Sequence, residues 1–235
     1  MELGEIYPYK YETHMHTSAS SACGANTPEE MVEAYKNAGY AGIIITDHHY
    51  GGNTAIDRKL PWEEWVEQFC NGYERAKAHG DKIGLQVFFG WEAGFRGTEF
   101  LVYGLDKQWM KQHPEIRKIS IEDHYNLVKD GGGFIVHAHP FRGADYISEI
   151  RVFPDHVDAV EGYNTSHWDE TFNENAIKFA KENNLPITCG SDQHTINLRK
   201  SGICFKTKVK DINDLIDRLI KRDYCIFDGK EYIKP

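Results

Sequence analysis

The sequence predicts an α/β fold in which a closed or nearly closed barrel of strands is surrounded by helices. Short apolar runs of strand length alternate with segments whose apolar residues recur at helical spacing, as in βα units. Several of these runs end in polar clusters rich in histidine and acids, and α/β barrels carry their functional residues at that end of the strands. The length of 235 residues fits one domain, so we expect residues 1–235 to form a single domain.

The first βα unit is the most clearly defined. Residues 11–16 are predicted to form a strand. The following helix has Thr27 at its N-cap, Pro28 at the first helical position and Glu30 three residues after the cap. Gly39 is expected to end this helix, and a buried strand follows at residues 41–45.

The same alternation continues to the C-terminal region. Helices are predicted at residues 61–79, with Gly80 as the terminator, and at 120–130, 173–182 and 211–221. Further strands are predicted at residues 83–92, 99–103, 134–139, 157–164, 187–191 and 224–227. Roughly seven strands with helices between most of them favour a barrel.

The composition restricts partners and compartment. The formal net charge of −9 argues against membrane binding and stable nucleic-acid binding, which need a basic surface. It allows a phosphorylated substrate, because bound cations reverse the charge inside one pocket. The five cysteines are scattered and never form a Cys-x-x-Cys pair, which favours reduced thiols and a cytoplasmic location. The oligomeric state is left open.

Two His-x-His motifs are candidate metal ligands. In a strand, His14 and His16 point to the same face, where two imidazoles can hold one zinc, iron or manganese ion. His137 and His139 repeat the motif before Pro140, and either or both could bind metal. The alternative for His14 and His16 is a pair of surface histidines.

Carboxylates accompany the histidines at other strand ends. His48 is a candidate ligand, and Asp47 is either a ligand or an orienting partner of a ligating imidazole. Glu92 ends an apolar run and could bridge two metals, although a helix cap or a salt bridge is the alternative. Asp192 and His194 lie two residues apart, which suits metal binding or a proton relay.

Together these candidates supply more ligands than one ion can bind, so we expect two or three divalent ions of manganese, iron or zinc. Such clusters activate water for attack on phosphorus, and no GxSxG or GxxxxGK[ST] motif offers another mechanism. We therefore expect hydrolysis of a small phosphorylated metabolite or nucleotide, with Glu92, Asp192 and His194 as catalytic candidates. Arg142 is the candidate phosphate contact. Other possible substrate contacts, each open to being an ordinary surface or packing residue, are Arg96, Arg199, Lys200, Tyr50, Tyr163 and Trp168.

The ordered motifs resemble those of the PHP (polymerase and histidinol phosphatase) domain family. The resemblance extends from Thr13 to Thr195 and rests on His14-Met15-His16, Thr46-Asp47-His48, Glu92, His139-Pro140 and Ser191-Asp192-Gln193-His194. It implies a distorted (β/α)7 barrel, a dinuclear or trinuclear metal site at the C-terminal ends of the strands, and phosphoesterase activity.

The resemblance also implies ligand groups that share Glu92. They are His14, His16, Glu92 and Asp192 for a first ion, Glu92 and His139 for a second, and His48 and His194 for a third. His137 would either support a ligand without binding an ion or contact the substrate, and Asp47 is the other candidate for supporting a ligand.

Two departures from the family pattern affect this assignment. The family's further ligand after the first motif is missing, so either Cys23 replaces it or the third site is weak or empty. A histidine usual for the second ion is also missing, and Glu99 is its replacement by position.

Two other functions compete with phosphoester hydrolysis. An amidohydrolase-like enzyme acting on C–N bonds also begins with His-x-His on a barrel strand, although the Thr-Asp-His and Ser-Asp-x-His motifs argue against it. A non-catalytic metal-binding or regulatory module is the second alternative.

Overall fold

A computed structural model describes residues 2–235. The strands are β1 Tyr9–Met15, β2 Gly42–Ile45, β3 Gln86–Phe95, β4 Thr98–Tyr103, β5 Phe134–Ala138, β6 Ala159–Asn164, β7 Ile187–Gly190, β8 Gly202–Phe205, β9 Cys225–Phe227 and β10 Tyr232–Ile233. The α-helices are α1 Leu3–Ile6, α2 Pro28–Asn37, α3 Trp62–Ile83, α4 Lys107–Gln112, α5 Ile121–Asp130, α6 Glu170–Glu182 and α7 Ile212–Ile220. Short 3₁₀ helices span Pro114–Arg117 and Pro154–His156.

All ten strands belong to one mixed sheet with the order β10-β9-β8-β1-β2-β3-β4-β5-β6-β7. The sheet curls so that the segment after β7 returns to β1. There the His16 N–H donates to the Gln193 carbonyl over 2.8 Å, and Met15 forms a parallel bridge with Gln193. This contact brings the C-terminal ends of β1 and β7 together.

The sheet confirms an α/β architecture, but it does not confirm the count of seven βα units. Strands β3 and β4 form an antiparallel hairpin, in which Arg96 and Gly97 both have positive φ, as in a type I′ turn. Strand β8 lies outside the prediction and pairs antiparallel with β1 and β9. An antiparallel strand needs no helical crossover, so it interrupts the alternation of strands and helices on which the prediction of seven βα units depended.

Three predicted boundaries on this side of the sheet are wrong, because β3 begins at Gln86 rather than at residue 83 and two further ends differ. Helix α3 continues through Gly80 and ends at Ile83, and its C-cap Gly84 has a φ of 75°. An added Cβ at Gly80 would lie 2.6 Å from the Val87 side chain, so this glycine permits close packing of α3 on β3. Strand β3 also continues past Glu92 to Phe95.

The curled sheet has apolar clusters on both of its surfaces. One cluster includes inward-facing residues of several strands, such as Tyr11, Ile44 and Leu101. Separate clusters under α2 and α3 are centred on Tyr35 and Trp65. The barrel interior below the strand ends is therefore filled with side chains rather than open. Among residues 2–235, no helix has the length and apolar character required to span a membrane.

The N-cap of α2 should contribute measurably to stability. Thr27 accepts a hydrogen bond from the Glu30 N–H, and Glu30 accepts one from the Thr27 N–H. We expect Thr27→Ala to lower the free energy of unfolding by about 1 kcal/mol in urea denaturation, because the Glu30 N–H in the first turn of α2 loses its side-chain partner. Thr27→Ser keeps the hydroxyl and should stay within a few tenths of the parent value. Equal losses in both variants would contradict this role.

Candidate metal centre

The structure brings the predicted ligands to one place. These side chains come from β1, β3, β4 and the segments after β2, β5 and β7, and all but the partly exposed Glu99 and His194 are buried. The convergent residues are His14, His16, His48, Glu92, Glu99, His139, Asp192 and His194.

Glu92 lies at the middle of the cluster. Its Oε1 is 3.1 Å from His139 Nε2 and 3.3 Å from His14 Nε2. Its Oε2 is 2.8 Å from His48 Nδ1. One carboxylate therefore reaches imidazoles on three different segments, as a bridging ligand would.

Asp192 forms a second point of contact. Its Oδ1 is 3.0 Å from His16 Nε2 and 3.4 Å from His14 Nε2. Its Oδ2 accepts a hydrogen bond of 2.5 Å from Arg142. The His194 ring stacks on the His16 ring with a centroid separation of 4.4 Å. Arg142 is thus fixed at the edge of the cluster by an anionic member of it.

The donor atoms form four overlapping groups, and within each group they lie within 4.8 Å of one another. The groups are His14-His16-Asp192, His14-Glu92-His139, His48-Glu92-Glu99 and His16-His48-His194. Imidazole nitrogens and carboxylate oxygens at this spacing could hold divalent ions.

The chemistry of the donors fits bound cations better than mutual hydrogen bonding. Although Glu92 Oε2 and His48 Nδ1 are 2.8 Å apart, both are buried and neither makes a hydrogen bond within the described residues. A buried polar atom without a partner costs free energy. A metal ion would satisfy the lone pairs of both atoms at once.

The electrostatics of the cluster are strongly coupled. Burial alone would raise the pKa of Glu92, but His14 and His48 outweigh burial and hold that pKa well below its usual value. Burial opposes protonation of His48, yet Glu92 raises the pKa of His48 to about 11. Burial and the neighbouring His48 lower the pKa of His16 to about 3, which leaves His16 as a neutral ligand.

An irregularity in β1 coincides with the first His-x-His motif. The pairing of β1 with β2 shifts register between Glu12 and Met15. Within this shift, Glu12 Oε1 accepts hydrogen bonds from the N–H groups of Thr13 and His14 and from Ser191. The buried carboxylate thus satisfies backbone donors and joins β1 to the Ser191-Asp192 segment.

Left-handed backbone conformations position two other site residues. His139 has a φ of 29° and Asp192 a φ of 48°. Because β5 ends at Ala138, the change of conformation at His139 breaks the strand alternation, and His137 does not share its face. His137 instead packs against Phe100, at 4.8 Å between ring centroids. His137 belongs to none of the four donor groups, and its role as a neighbour of the ligands or a substrate contact stays a prediction.

Strand direction explains the position of Glu99. It lies near the start of β4, which runs antiparallel to both β3 and β5. The beginning of β4 is therefore at the same edge as the C-terminal ends of the parallel strands. Glu99 Oε2 is 3.6 Å from His139 Nε2, and Glu99 Oε1 is 3.8 Å from His48 Nδ1.

Asp47 acts through a loop rather than by joining the donor groups. Its carboxylate accepts hydrogen bonds from the backbone and hydroxyl of Thr17 and from the Ser21 hydroxyl. Ser21 Oγ in turn lies 3.2 Å from His16 Nδ1 and accepts the His48 N–H. Asp47 therefore positions two candidate ligands through Ser21.

Cys23 lies at the open side of the cluster. Partial burial would raise the pKa of its thiol, but hydrogen bonds with His194 and His48 lower it to about 6. Backbone hydrogen bonds hold this turn in place, from Ala22 to the Asn53 carbonyl and from Ala25 to the His194 carbonyl. The thiol is thus next to the group formed by His16, His48 and His194.

Sequence reasoning missed Glu161, which is fully buried on β6. Its Oε1 lies 2.9 Å from His14 Nδ1, and its Oε2 accepts the His139 N–H over 3.1 Å. Such a carboxylate fixes the orientation and tautomer of a ligating imidazole. An added Cβ at Gly190 would lie 2.5 Å from both Glu161 Oε1 and His14 Cβ. The available signal was an acid in the middle of the apolar run at residues 157–164, which also contains Asp158 near its start.

Comparison with known families gives two matches. The family described as PHP domain matches residues 12–141, and the family described as PHP-associated matches residues 170–197. No curated protein matches the sequence.

Several solved structures share the fold. A two-domain protein from Bacteroides vulgatus, described as containing a predicted PHP-like metal-dependent phosphoesterase, aligns with a TM-score of 0.68 and 16% identity. The alignment covers 93% of this chain but only 64% of that one, so this chain spans less than two thirds of that protein. An amidohydrolase from Chromobacterium violaceum, with sulfate bound and no metal, aligns with a TM-score of 0.53 and 16% identity over 79% of this chain and 87% of that one.

A third structure corrects the expectation that nucleic acid is not bound stably. Endonuclease Q, in complex with a 27-mer duplex containing an abasic lesion at the active site, aligns with a TM-score of 0.59. Identity is 13%, and 90% of this chain and 56% of that chain are covered. Net charge describes the whole chain, whereas phosphate contact depends on the local charge of one site. The acidic composition therefore does not exclude a nucleic-acid ligand.

Substitution of Glu161 tests whether this carboxylate orients His14 for metal binding. We expect Glu161→Gln to weaken zinc binding by about 10–100-fold, because the amide no longer supplies a charged acceptor to His14. Glu174→Gln, an exposed change on α6, is the matched control. Competition with a chelating dye would measure both affinities. Unchanged zinc affinity in the Glu161 variant would contradict the proposed orientation of His14.

Proposed function

Because the chain belongs to the PHP domain family, we propose that it is a metal-dependent phosphoesterase acting on a small phosphorylated metabolite or nucleotide. The observation that carries the proposal is the convergence of imidazoles and carboxylates around the buried Glu92. We also propose that residues 1–235 form one functional domain, because the candidate ligands extend from His14 to His194. The cytoplasmic location stays a prediction.

We assign the ligands by the distances among the donors. His14, His16 and Asp192 would hold one ion together with Glu92, and His139 and Glu92 would hold a second with help from Glu99. His48 and His194 would hold a third ion, and Cys23 is available as its further donor. Mixed nitrogen and oxygen donors suit manganese, iron or zinc.

The bound ions would supply Lewis acidity, which activates water and neutralises charge on the phosphate oxygens. The chain's own groups would orient the ester and move protons. Arg142 is held by Asp192 and keeps further N–H donors that could bind phosphate oxygens. The His194 side chain is 29% exposed, against 6% for Asp192, so we assign proton exchange with solvent to His194 when the third ion is not bound.

Two alternatives remain testable beside this proposal. An amidohydrolase acting on C–N bonds has support in the fold shared with the Chromobacterium violaceum protein, although similarity at 16% identity concerns the fold alone. A non-catalytic metal-binding module would bind ions without hydrolysis. Assays of phosphate esters and amides side by side, on protein loaded with manganese, zinc or iron, would separate the three functions.

Elemental analysis measures how many metal ions the chain binds. We expect at least two metal equivalents per chain, because one ion cannot satisfy the four donor groups. His16→Ala and Asp192→Ala should each lose both metal and phosphatase activity, because each belongs to a proposed metal group. His113→Ala is the control, since this histidine pairs with Glu115 on a 3₁₀ helix away from the cluster. Full metal content and activity in the His16 variant would contradict the assignment.

The affinity of the site for metal should depend on pH. Without metal, the pKa of His48 is about 11, and the carboxylates around His14 raise its pKa well above the usual value despite burial. A ligating imidazole must give up its proton, so binding releases protons and affinity rises with pH. We expect up to about tenfold tighter zinc binding per pH unit for each proton released. Calorimetry in buffers of different ionisation enthalpy would count these protons, and a count of zero would contradict the prediction.

A further inference from the structure

Exposed apolar side chains are concentrated around the mouth of the metal cluster. Within residues 2–235, seven large hydrophobic side chains are exposed, and five of them belong to the segments that follow β5, β6 and β7. These five are Tyr146, Ile150, Val152, Trp168 and Ile196. The same segments supply His139, Arg142 and His194, so the apolar surface and the proposed metal ligands share one edge of the sheet.

Trp168 is the most exposed of these residues, at 80%. The ring of Phe172 contacts it edge-on, with centroids 5.2 Å apart and an angle of 81° between the planes. Phe172 also packs close to Gly143, where an added Cβ would lie 3.1 Å from the ring. The indole is therefore supported by the segment that carries Arg142 while most of its surface stays free.

The residue before Trp168 connects this surface with the cluster. His167 Nε2 accepts from Arg142 Nε over 3.4 Å, and the His167 ring centroid is 6.4 Å from that of His139. Tyr146 follows Arg142 on the same segment and is 65% exposed. Aromatic surface thus begins next to the group proposed to hold the phosphate.

We propose that Trp168 and Tyr146 form a recognition rim for a phosphate ester whose organic group carries a flat aromatic ring, such as a nucleotide base. This inference rests on the proposed phosphoesterase function and names the substrate class of the same site. A large exposed aromatic face gains little from water and favours stacking on a planar ring. Arg142 and the metal cluster would bind the phosphate group, while the rim would stack on the aromatic ring.

Two substrates differing only in the base provide the test. AMP and ribose 5-phosphate carry the same phosphate on the same pentose carbon. We expect kcat/KM to favour AMP by about tenfold, because stacking stabilises the bound base. Trp168→Ala should remove most of this preference by raising the KM for AMP, and should leave kcat/KM for ribose 5-phosphate within about twofold. Tyr232→Ala removes an exposed aromatic on β10 and should leave both substrates unchanged.

The outcomes distinguish recognition of the aromatic ring by the rim from hydrolysis of the phosphate ester. Equal kcat/KM for AMP and ribose 5-phosphate in the parent protein, or an equal loss for both in the Trp168 variant, would overturn the rim. If neither ester is hydrolysed, the phosphoesterase proposal fails, and calorimetric binding of the two compounds to zinc-loaded protein still tests the rim. Tighter binding of AMP that depends on Trp168 would then support it. A short single-stranded oligonucleotide with a 5′-phosphate, compared with AMP, would show whether the base belongs to a free nucleotide or to a strand end.

Discussion

The structure depends on burying several carboxylates in one region without leaving their charges uncompensated. Buried charges are tolerated only when they are paired and hydrogen-bonded. Glu12 meets this condition with N–H groups of β1 and Ser191, and Asp47 with Thr17 and Ser21. Glu92 is paired with His14, His48 and His139, yet its Oε2 makes no hydrogen bond. A divalent cation would supply the partner that this oxygen lacks, and this need connects the fold to the proposed chemistry.

Precise placement of the ligands comes from departures from regular strand geometry. A strand with strict alternation would send His137 and His139 to one face, yet only His139 reaches the cluster because its φ is positive. Asp192 also has a left-handed conformation, and the pairing of β1 with β2 shifts register between Glu12 and Met15. Such conformations cost free energy in residues other than glycine and persist where surrounding contacts impose them. Glu12 and Glu161 provide those contacts, since each bonds to groups on more than one segment.

Charge and apolar surface are divided between the centre of the site and its rim. The centre contains imidazoles, carboxylates and the Arg142 guanidinium, whereas the surrounding segments expose Trp168 and Tyr146. This division explains why the net charge of −9 was a poor guide to ligands. Local groups, and any ions they bind, determine what approaches the mouth, and the charge of the distant surface is screened over about 10 Å at ordinary salt concentrations.

The sequence by itself determined the α/β alternation, the cap of α2 and the ordered set of ligand candidates, because each of these is encoded in short local patterns. It also indicated Glu99, by position. Only the tertiary structure decided that β4 and β8 run antiparallel, that His137 lies among aromatic rings, and that Glu161 supports His14. These features depend on pairing between segments distant in sequence and on single backbone angles. A pattern of residue types does not encode either, because the same residues fit several registers until packing and hydrogen bonding select one.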